Sequence, residues 1–413
     1  MRDFLLRRKP KDVDIATSAT PDEVLRLFPK SRPIGAQFGV VQVPMYGHIY
    51  EVATFRSDSA YLDGRHPSSV VFSGPEQDAL RRDFTINGLF FDPVAGRLID
   101  YVRGRNDIKT RLIRTIGNPE ERFAEDKLRM LRAIRLACTL SFTIVPETWK
   151  AIQRLASDIL QVSWERIRDE LTRIFTGPAP STGLDLLRES GLLGHLLPEI
   201  QALHDIPQSP GAEDLYAHTR ATMEFLRKPS AVLAFGALVH DVGKTARRTD
   251  SAEQAERHAE TGSEIAERIC RRLRMSNEEI ERVVSLVKTH VEFSKAKRMR
   301  ESALKRLLRR PNIDEHLELY RANCLSQKKD LETYSYCLQK LAKYLEEPSA
   351  PPLISGEDLI ALGYSPGPLF KEILRDVEDL QLECVIRTRE EALAHVKAAF
   401  PLTGESGQIP RPH

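Results

Sequence analysis

The chain has 413 residues, 41% hydrophobic and 29% charged, with a formal net charge of +2; this excludes a largely disordered chain, allows two to four cored domains, and means that any nucleic-acid partner must be met by local basic patches. Five cysteines, none in a CxxC pair, argue against a disulfide framework or structural zinc and for a reducing, cytoplasmic setting. No apolar run approaches the ~18 residues of a membrane span, and Met1 is followed at once by Arg2 and Asp3, which does not suit a signal peptide.

Phe4 to Arg8 reads as the end of a short helix. In the next stretch, KDVDIATSAT at 11–20, KDVDIA predicts a strand. On a strand Asp12 and Asp14 share one face while Val13 and Ile15 point into a core. Two carboxylates that close repel unless a cation lies between them, and Mg²⁺ suits an all-oxygen site. Such a pair serves phosphoryl or nucleotidyl transfer, although an isolated DxD is more often a solvated turn. Thr20, Pro21 and Glu23 spell a helix start with a capping box. Two strands follow, FGVVQVP and IYEVATF, so the first region predicts a small α/β sheet with a helix behind it. Glu51 is a candidate third carboxylate, or an ordinary edge-strand glutamate. The polar stretch 56–70 reads as a loop long enough to be functional. In RRDFTING, beginning at Arg81, adjacent arginines offer a phosphate clamp and Asp83 and Asn87 offer groups for a ribose. A plain amphipathic helix start fits the same letters.

Asn118 and Pro119 open a helix expected to run unbroken through RFAEDKLRMLRAIRLACTL. Asp126, Arg129, Arg132 and Arg135 then form a spiral stripe beside an apolar stripe of Leu128, Leu131 and Ile134. Alone, this is as readily a solvated face with i,i+3 pairs. Trp149, Leu155, Ile159, Trp164, Ile167 and Leu171 read as core, and Arg166, Arg168 and Arg173 as solvated or RNA-facing. A Gly/Pro-bearing break at 177–181 precedes a helical region. There, apolar AVLAFGALV runs into His240, Asp241 and then Lys244, with His218, His258 and His290 on neighbouring predicted helices. Lys295 to Arg310 carries eight basic residues and one acid, usually a solvated face and, where the substrate is an RNA, a phosphate-backbone contact. Residues 347–352 read as a linker, 353–400 as helices with Ser355 as a cap, and 403–413 as a disordered end.

Five of these stretches, KDVDIATSAT, RRDFTINGLFFDP, GRLIDYVRGRNDI, RLIRTIG and RFAEDKLRMLRAIRLA, occur in this order and spacing. Together they resemble the class II tRNA nucleotidyltransferases, the CCA-adding enzymes and bacterial poly(A) polymerases, from Arg2 to about residue 180. The resemblance implies an α+β chain. Its parts would be a polymerase β-type nucleotidyltransferase head (1–118), a nucleobase- and RNA-binding helical neck (119–180), an HD-type helical body (181–345) and a helical tail (346–413). It implies that Asp12 and Asp14 hold Mg²⁺ and activate the 3′-hydroxyl of an RNA primer, with Glu51 the candidate third catalytic carboxylate. Arg2 and Arg82 would meet the nucleotide phosphates, and Asp83 and Asn87 the sugar. Asp126 and Arg129 would read the Watson–Crick edge of the incoming base, with Arg132 and Arg135 facing the nucleotide. The implied partners are a tRNA 3′ end, ATP and CTP. A-only addition, poly(A) synthesis and an HD phosphohydrolase with an inactive head are the alternatives. The family's Gly-Gly pair, which precedes the V-R-D triplet, has no counterpart before Met1, so the natural start is expected upstream. HDVGK resembles an HD-domain site in which His218, His240, Asp241, His258 and His290 hold a second divalent metal. Asn323 stands where that family has an aspartate, which weakens the case for hydrolysis.

Overall fold

The computed structural model describes residues 1–10, 12–34, 39–58, 70–207, 214–246, 252–346 and 351–402. Most of the predicted 56–70 loop, part of the 347–352 linker and the end from Thr403 lie outside them. The chain divides into two compact units, Met1–Lys288 and Thr289–His413.

The first unit begins with α1 (Arg2–Leu5), β1 (Ile15–Thr17), α2 (Pro21–Leu27), β2 (Arg32–Pro33), β3 (Val40–Met45) and β4 (His48–Thr54). The strands form a sheet of order β1-β4-β3-β2, with β1 parallel to β4 and the β3–β4 hairpin antiparallel. Thr20 and Glu23 close the expected capping box. Val24 of α2 packs on Val41, Val43 and Val52, a small core of β-branched residues behind the sheet. Two further hairpins, β5 (Arg56–Asp58) with β6 (Val70–Phe72) and β7 (Leu89–Asp92) with β8 (Arg97–Asp100), flank α3 (Pro75–Leu80).

After α4 (Gly104–Thr110) and β9 (Leu112–Ile113) come α5 (Pro119–Glu125) and α6 (Arg129–Leu140). The helix expected to be continuous is therefore broken. Asp126 is extended (φ −146°, ψ 102°), and its Oδ1 accepts the Leu128 N–H at 3.2 Å. This is the local turn by which aspartate competes with a helix. Met130, Leu131 and Ile134 of α6 are fully buried and hold the second half in place. β10 (Thr143–Ile144) pairs with β9. Next come α7 (Pro146–Leu155), α8 (Trp164–Phe175) and α9 (Pro180–Glu189), followed by α10 (Leu192–Leu196) and α11 (Pro198–Gln201). Of the expected core residues here, Ile159, Ile167 and Leu171 are buried, whereas Trp149, Leu155 and Trp164 are half-buried. α12 (Leu215–Glu224), α13 (Ala231–Val239), α14 (Ala252–Arg272) and α15 (Asn277–Thr289) complete the unit.

The second unit contains α16 (Glu301–Leu308), α17 (Ile313–Ser326), α18 (Glu332–Glu346), α19 (Gly356–Ala361), α20 (Pro368–Leu382) and α21 (Arg389–Ala399). One core gathers Phe293, Leu304, Leu317, Tyr320 and Tyr344, and another Leu359, Ile373, Val377 and Val396.

Candidate functional site

The DxD does not lie on a strand. β1 starts at Ile15, one residue after Asp14, and both aspartates are exposed. Val13 and Ile15 are 58% and 42% exposed, so the expectation that they enter a core is corrected. β1 is an edge strand, paired only with β4 among the described residues. The parallel ladder opens at Ile15 opposite Val52, immediately after Asp14 and Glu51. Glu51, on β4, projects to the side opposite buried Val52. Among the described residues, no group of three that includes these acids gathers within 4.8 Å. The donors are accessible carboxylates, which suits a hard divalent ion.

Beside them lies a chain of polar contacts. Arg2 Nη1 donates to Asn87 Oδ1 at 2.8 Å, and Asn87 Nδ2 donates to Asp83 Oδ1 at 2.9 Å. Arg132 Nη1 reaches Asp83 Oδ2 at 3.2 Å. Burial alone would raise the Asp83 carboxyl. The Arg132 charge, with hydrogen bonds from Asn87 and the Phe84 N–H, outweighs it and holds the pKa below the ordinary value. Arg82 is 31% exposed, with its guanidinium 4.5 Å over the Phe90 ring.

The helix break sets the third part. Asp126 is 8% exposed and Arg129 6%. Arg129 Nη1 bonds Glu125 Oε2 at 2.6 Å and the Arg122 carbonyl at 2.9 Å. Arg166 Nη2, from α8, donates to Asp126 Oδ2 at 2.9 Å. Arg135, expected to face the nucleotide, is instead committed to Glu170 at 2.5 Å, with Glu170 4% exposed. Its position on α6 points it into the α6–α8 packing. Thus Arg2, Asn87, Asp83 and Arg132 form one network, Asp126 and Arg129 lie on the segment leading into it, and Arg135 lies apart.

In the expected HD region, His218, His240 and Asp241 are buried together, their donor atoms within 4.8 Å of one another. His218 Nε2 lies 3.1 Å from His240 Nε2 and 3.4 Å from Asp241 Oδ2; His240 Nε2 lies 3.5 Å from the same oxygen. Donors ~2.1 Å from a tetrahedral ion stand ~3.4 Å apart, so the spacing fits a divalent metal. His240 Nδ1 is 2.7 Å from the Ala237 carbonyl, the contact that orients a metal-binding imidazole. Lys244 Nζ also sits 2.7 Å from Asp241 Oδ2 and competes for that oxygen. His258, on α14, is not in this group. His290 belongs to the second unit, as does Asn323, whose Oδ1 accepts from Gln327 Nε2 at 2.6 Å.

The basic run 295–310 is largely spent on the protein. Lys297 pairs with Glu332, Arg306 with Asp379 and Arg310 with Glu292, and buried Lys305 donates to the Leu382 carbonyl. Arg298, Arg300 and Arg309 are exposed.

Fold and site define a nucleotidyltransferase-type head followed by a helical segment and an HD-type region. Three domain families match in the same order: the poly A polymerase head domain over residues 1–114, the probable RNA and SrmB-binding site of polymerase A over 141–203, and the HD domain over 215–327. The CCA-adding enzyme of Levilactobacillus brevis is 41% identical over 262 residues, 62% of this chain and 64% of that protein. That of Geobacillus stearothermophilus is 44% identical over 197 residues, 48% of each. The matched region thus spans between half and just under two thirds of these curated relatives. A solved Bacillus stearothermophilus CCA-adding enzyme in complex with CTP superposes with a TM-score of 0.73 at 26% identity, covering 96% of this chain and 91% of that one. The Thermotoga maritima CCA-adding enzyme complexed with tRNA shares the fold, with a TM-score of 0.60 at 21% identity over 96% and 89% of the two chains. The chain is thus similar, in its three matched domains and their order, to the CCA-adding enzymes, and it carries a poly A polymerase-type head domain.

Three residues that hold this site were not singled out from the sequence as parts of it. Asp78 holds Arg81 and Arg82, Glu125 holds Arg122 and Arg129, and Arg166 holds Asp126. Asp78 and Glu125 stand three or four residues from the arginines they bind, a spacing readable as helical pairing. Arg166 is 40 residues from Asp126 and leaves no local signal.

Proposed function

We propose that this chain adds C and A nucleotides to tRNA 3′ ends, using ATP and CTP and depending on Mg²⁺. The observation that carries this is the Arg132–Asp83 ion pair. It ties the helix bearing Arg129 to the sugar-binding network of the head, so base, sugar and phosphate contacts belong to one site.

Asp12 and Asp14, with Glu51, would hold the Mg²⁺, which when bound supplies positive charge at the reacting phosphate and favours the ionised primer hydroxyl. Arg82 and Arg2 hold the triphosphate, and Asp83 and Asn87 the ribose. The primer's 3′ oxygen bonds to the α-phosphorus, the bond to the bridging oxygen breaks, and pyrophosphate departs while the hydroxyl proton passes to solvent. Asp126 accepts from the exocyclic amine and Arg129 donates to the adjacent ring nitrogen. Cytosine and adenine share that pattern; guanine and uracil reverse it and would leave buried polar groups unpaired. The buried His218, His240 and Asp241 would hold a second divalent ion. The cysteines are free thiols, which suits a cytoplasmic setting. No helix among the described residues is long and apolar enough to cross a membrane.

The test uses three tRNAs, ending at the discriminator base, in C-C, and in the complete C-C-A, with CTP and ATP supplied singly and together. Addition of C, C and A to the first, then arrest, is the expected result. Addition of A alone to the second, with none to the first, overturns the full activity.

A further inference from the structure

Asp78 is 2% exposed, on α3, and sits between two guanidinium groups. Arg81 bonds its Oδ1 through Nε at 2.9 Å and Nη2 at 2.6 Å. Arg82 bonds its Oδ2 through Nε at 3.3 Å and Nη2 at 3.1 Å. The Arg56 N–H also approaches Oδ1, at 3.4 Å. Charged donors of this kind offset the cost of burying a carboxylate.

The consequence for Arg82 is specific. A guanidinium carries five N–H groups in a rigid fork. Its side edge, Nε with Nη2, lies along Asp78. Nη1 gives one hydrogen to the Asn87 carbonyl at 2.9 Å, and one face stacks on Phe90. One N–H remains on each terminal nitrogen, the pair that grips two oxygens of a phosphate end-on. Arg81 matters through charge. Asp78 alone would neutralise Arg82 toward an anion, whereas one carboxylate between two arginines leaves a net positive charge.

We propose that Asp78 is the positioning residue of the phosphate clamp: it fixes the side edge of Arg82 so that its end-on fork is presented to the nucleotide triphosphate, while Arg81 preserves the positive charge. This rests on the nucleotidyltransferase reading of the site. Pre-organised donors bind without an ordering cost. The effect falls on every nucleotide alike, because phosphate is common to all, and it spares base choice.

The test measures CTP and ATP binding by calorimetry with Mg²⁺, alongside kcat, KM and tRNA affinity, for Asp78→Asn, Asp78→Glu and Arg81→Gln. Asp78→Asn should weaken both nucleotides about tenfold, mainly in KM, with tRNA affinity and the C/A against U/G ratio unchanged. Asp78→Glu should recover part of the loss. If Asp78→Asn does not fold, Arg81→Gln, at a site 23% exposed, carries the test, since it leaves a neutral Asp78–Arg82 pair and should weaken both nucleotides. Folded variants that bind CTP as wild type does, or that lose tRNA and nucleotide together, overturn the proposal. Wild-type protein that binds CTP yet adds nothing to any tRNA overturns the proposed function, while the binding comparison still decides the role of Asp78.

Discussion

Arg166 donates to one carboxylate oxygen of Asp126 while the Leu128 N–H binds the other, so the plane of that carboxylate is set from both ends. Asp126 lies in the break between α5 and α6 and Arg166 on α8, so the contact would make α8 part of the proposed base-reading apparatus. An Asp126 free to rotate would accept from an amine in several poses and lose its power to reject. Arg166→Ala should therefore lower discrimination of CTP over UTP by about tenfold, and Arg129→Ala by more, since Arg129 is the residue proposed to touch the base itself. Misincorporation assays with single nucleotides check this. Unchanged selectivity in Arg129→Ala would sink the base-reading assignment.

Arg132 and Arg135 lie three residues apart on one helix and are expected to behave differently. Arg132, 39% exposed and paired with Asp83, belongs to the proposed nucleotide site, so Arg132→Ala should raise nucleotide KM, and because Asp83 keeps its hydrogen bonds from Asn87 and the Phe84 N–H, the accompanying loss of stability should be smaller than in Arg135→Ala. Arg135 is 19% exposed and Glu170 only 6% in their side chains. Arg135→Ala leaves Glu170 only the longer contact with Arg173, at 3.4 Å, and should cost about 2 kcal/mol in unfolding free energy, below the range for a buried pair left without a partner. Chemical denaturation beside nucleotide kinetics separates the two. A loss of nucleotide affinity in Arg135→Ala without loss of stability would reverse the assignment.

This contrast marks where the sequence is legible. The capping box at Thr20 and Glu23, the hairpin after Gly39, and the apolar helix ending at His240 are local patterns, and each reads directly. A three-residue spacing of Asp126, Arg129, Arg132 and Arg135 implies a stripe only if the helix is continuous. The Asp126 turn breaks it, and a two-residue hydrogen bond leaves no mark in apolar periodicity. The strand expected at Asp12 fails for a related reason, because a strand's extent is set by its partner, and β4 pairs with β1 only from Ile15. The tally of basic residues at 295–310 misleads because their acidic partners, Glu332 and Asp379, lie far along the chain.

Asp14 and Glu51, which immediately precede the paired Ile15 and Val52 in the sequence, should differ in what their loss does. Asp14→Ala removes a proposed metal ligand and should abolish incorporation, by about 10³-fold or more, leaving tRNA affinity intact. Glu51→Gln should leave weaker activity that rises with added Mg²⁺. Gel-based incorporation across a Mg²⁺ titration, with filter binding of tRNA, distinguishes these results. Retained incorporation in Asp14→Ala would remove the carboxylates from the mechanism.

The His218–His240–Asp241 cluster should bind metal independently of nucleotide addition. Protein purified without chelator is expected to carry close to one divalent ion per chain by elemental analysis at this site, lost in His240→Ala, while incorporation persists. Lys244→Met should tighten metal retention, because the ammonium no longer shares Asp241 Oδ2. Metal content equal in wild type and His240→Ala would mean that the histidines and Lys244 satisfy one another without an ion. Loss of incorporation in His240→Ala would join the two sites.

His316 ties the stability of the second unit to pH. It is 4% exposed, and its Nδ1 lies 2.8 Å from Thr289 Oγ1. Burial, reinforced by the Arg310 charge, pushes its pKa from 6.5 down to about 4. Below its ordinary value the unfolded chain takes up a proton that the folded chain refuses. The stabilisation is therefore complete above about pH 6.5, shrinks as pH falls toward about 4, and changes no further below that, with a span of about 3 kcal/mol. His316→Asn keeps a donor near Thr289 and removes the titration. Hydrogen exchange of the amides of α17, at pH 7 and pH 5, should show wild type losing protection on acidification by more than His316→Asn. The two proteins share every other titrating group, so equal losses would mean that His316 takes up its proton as readily in the folded chain as in the unfolded one.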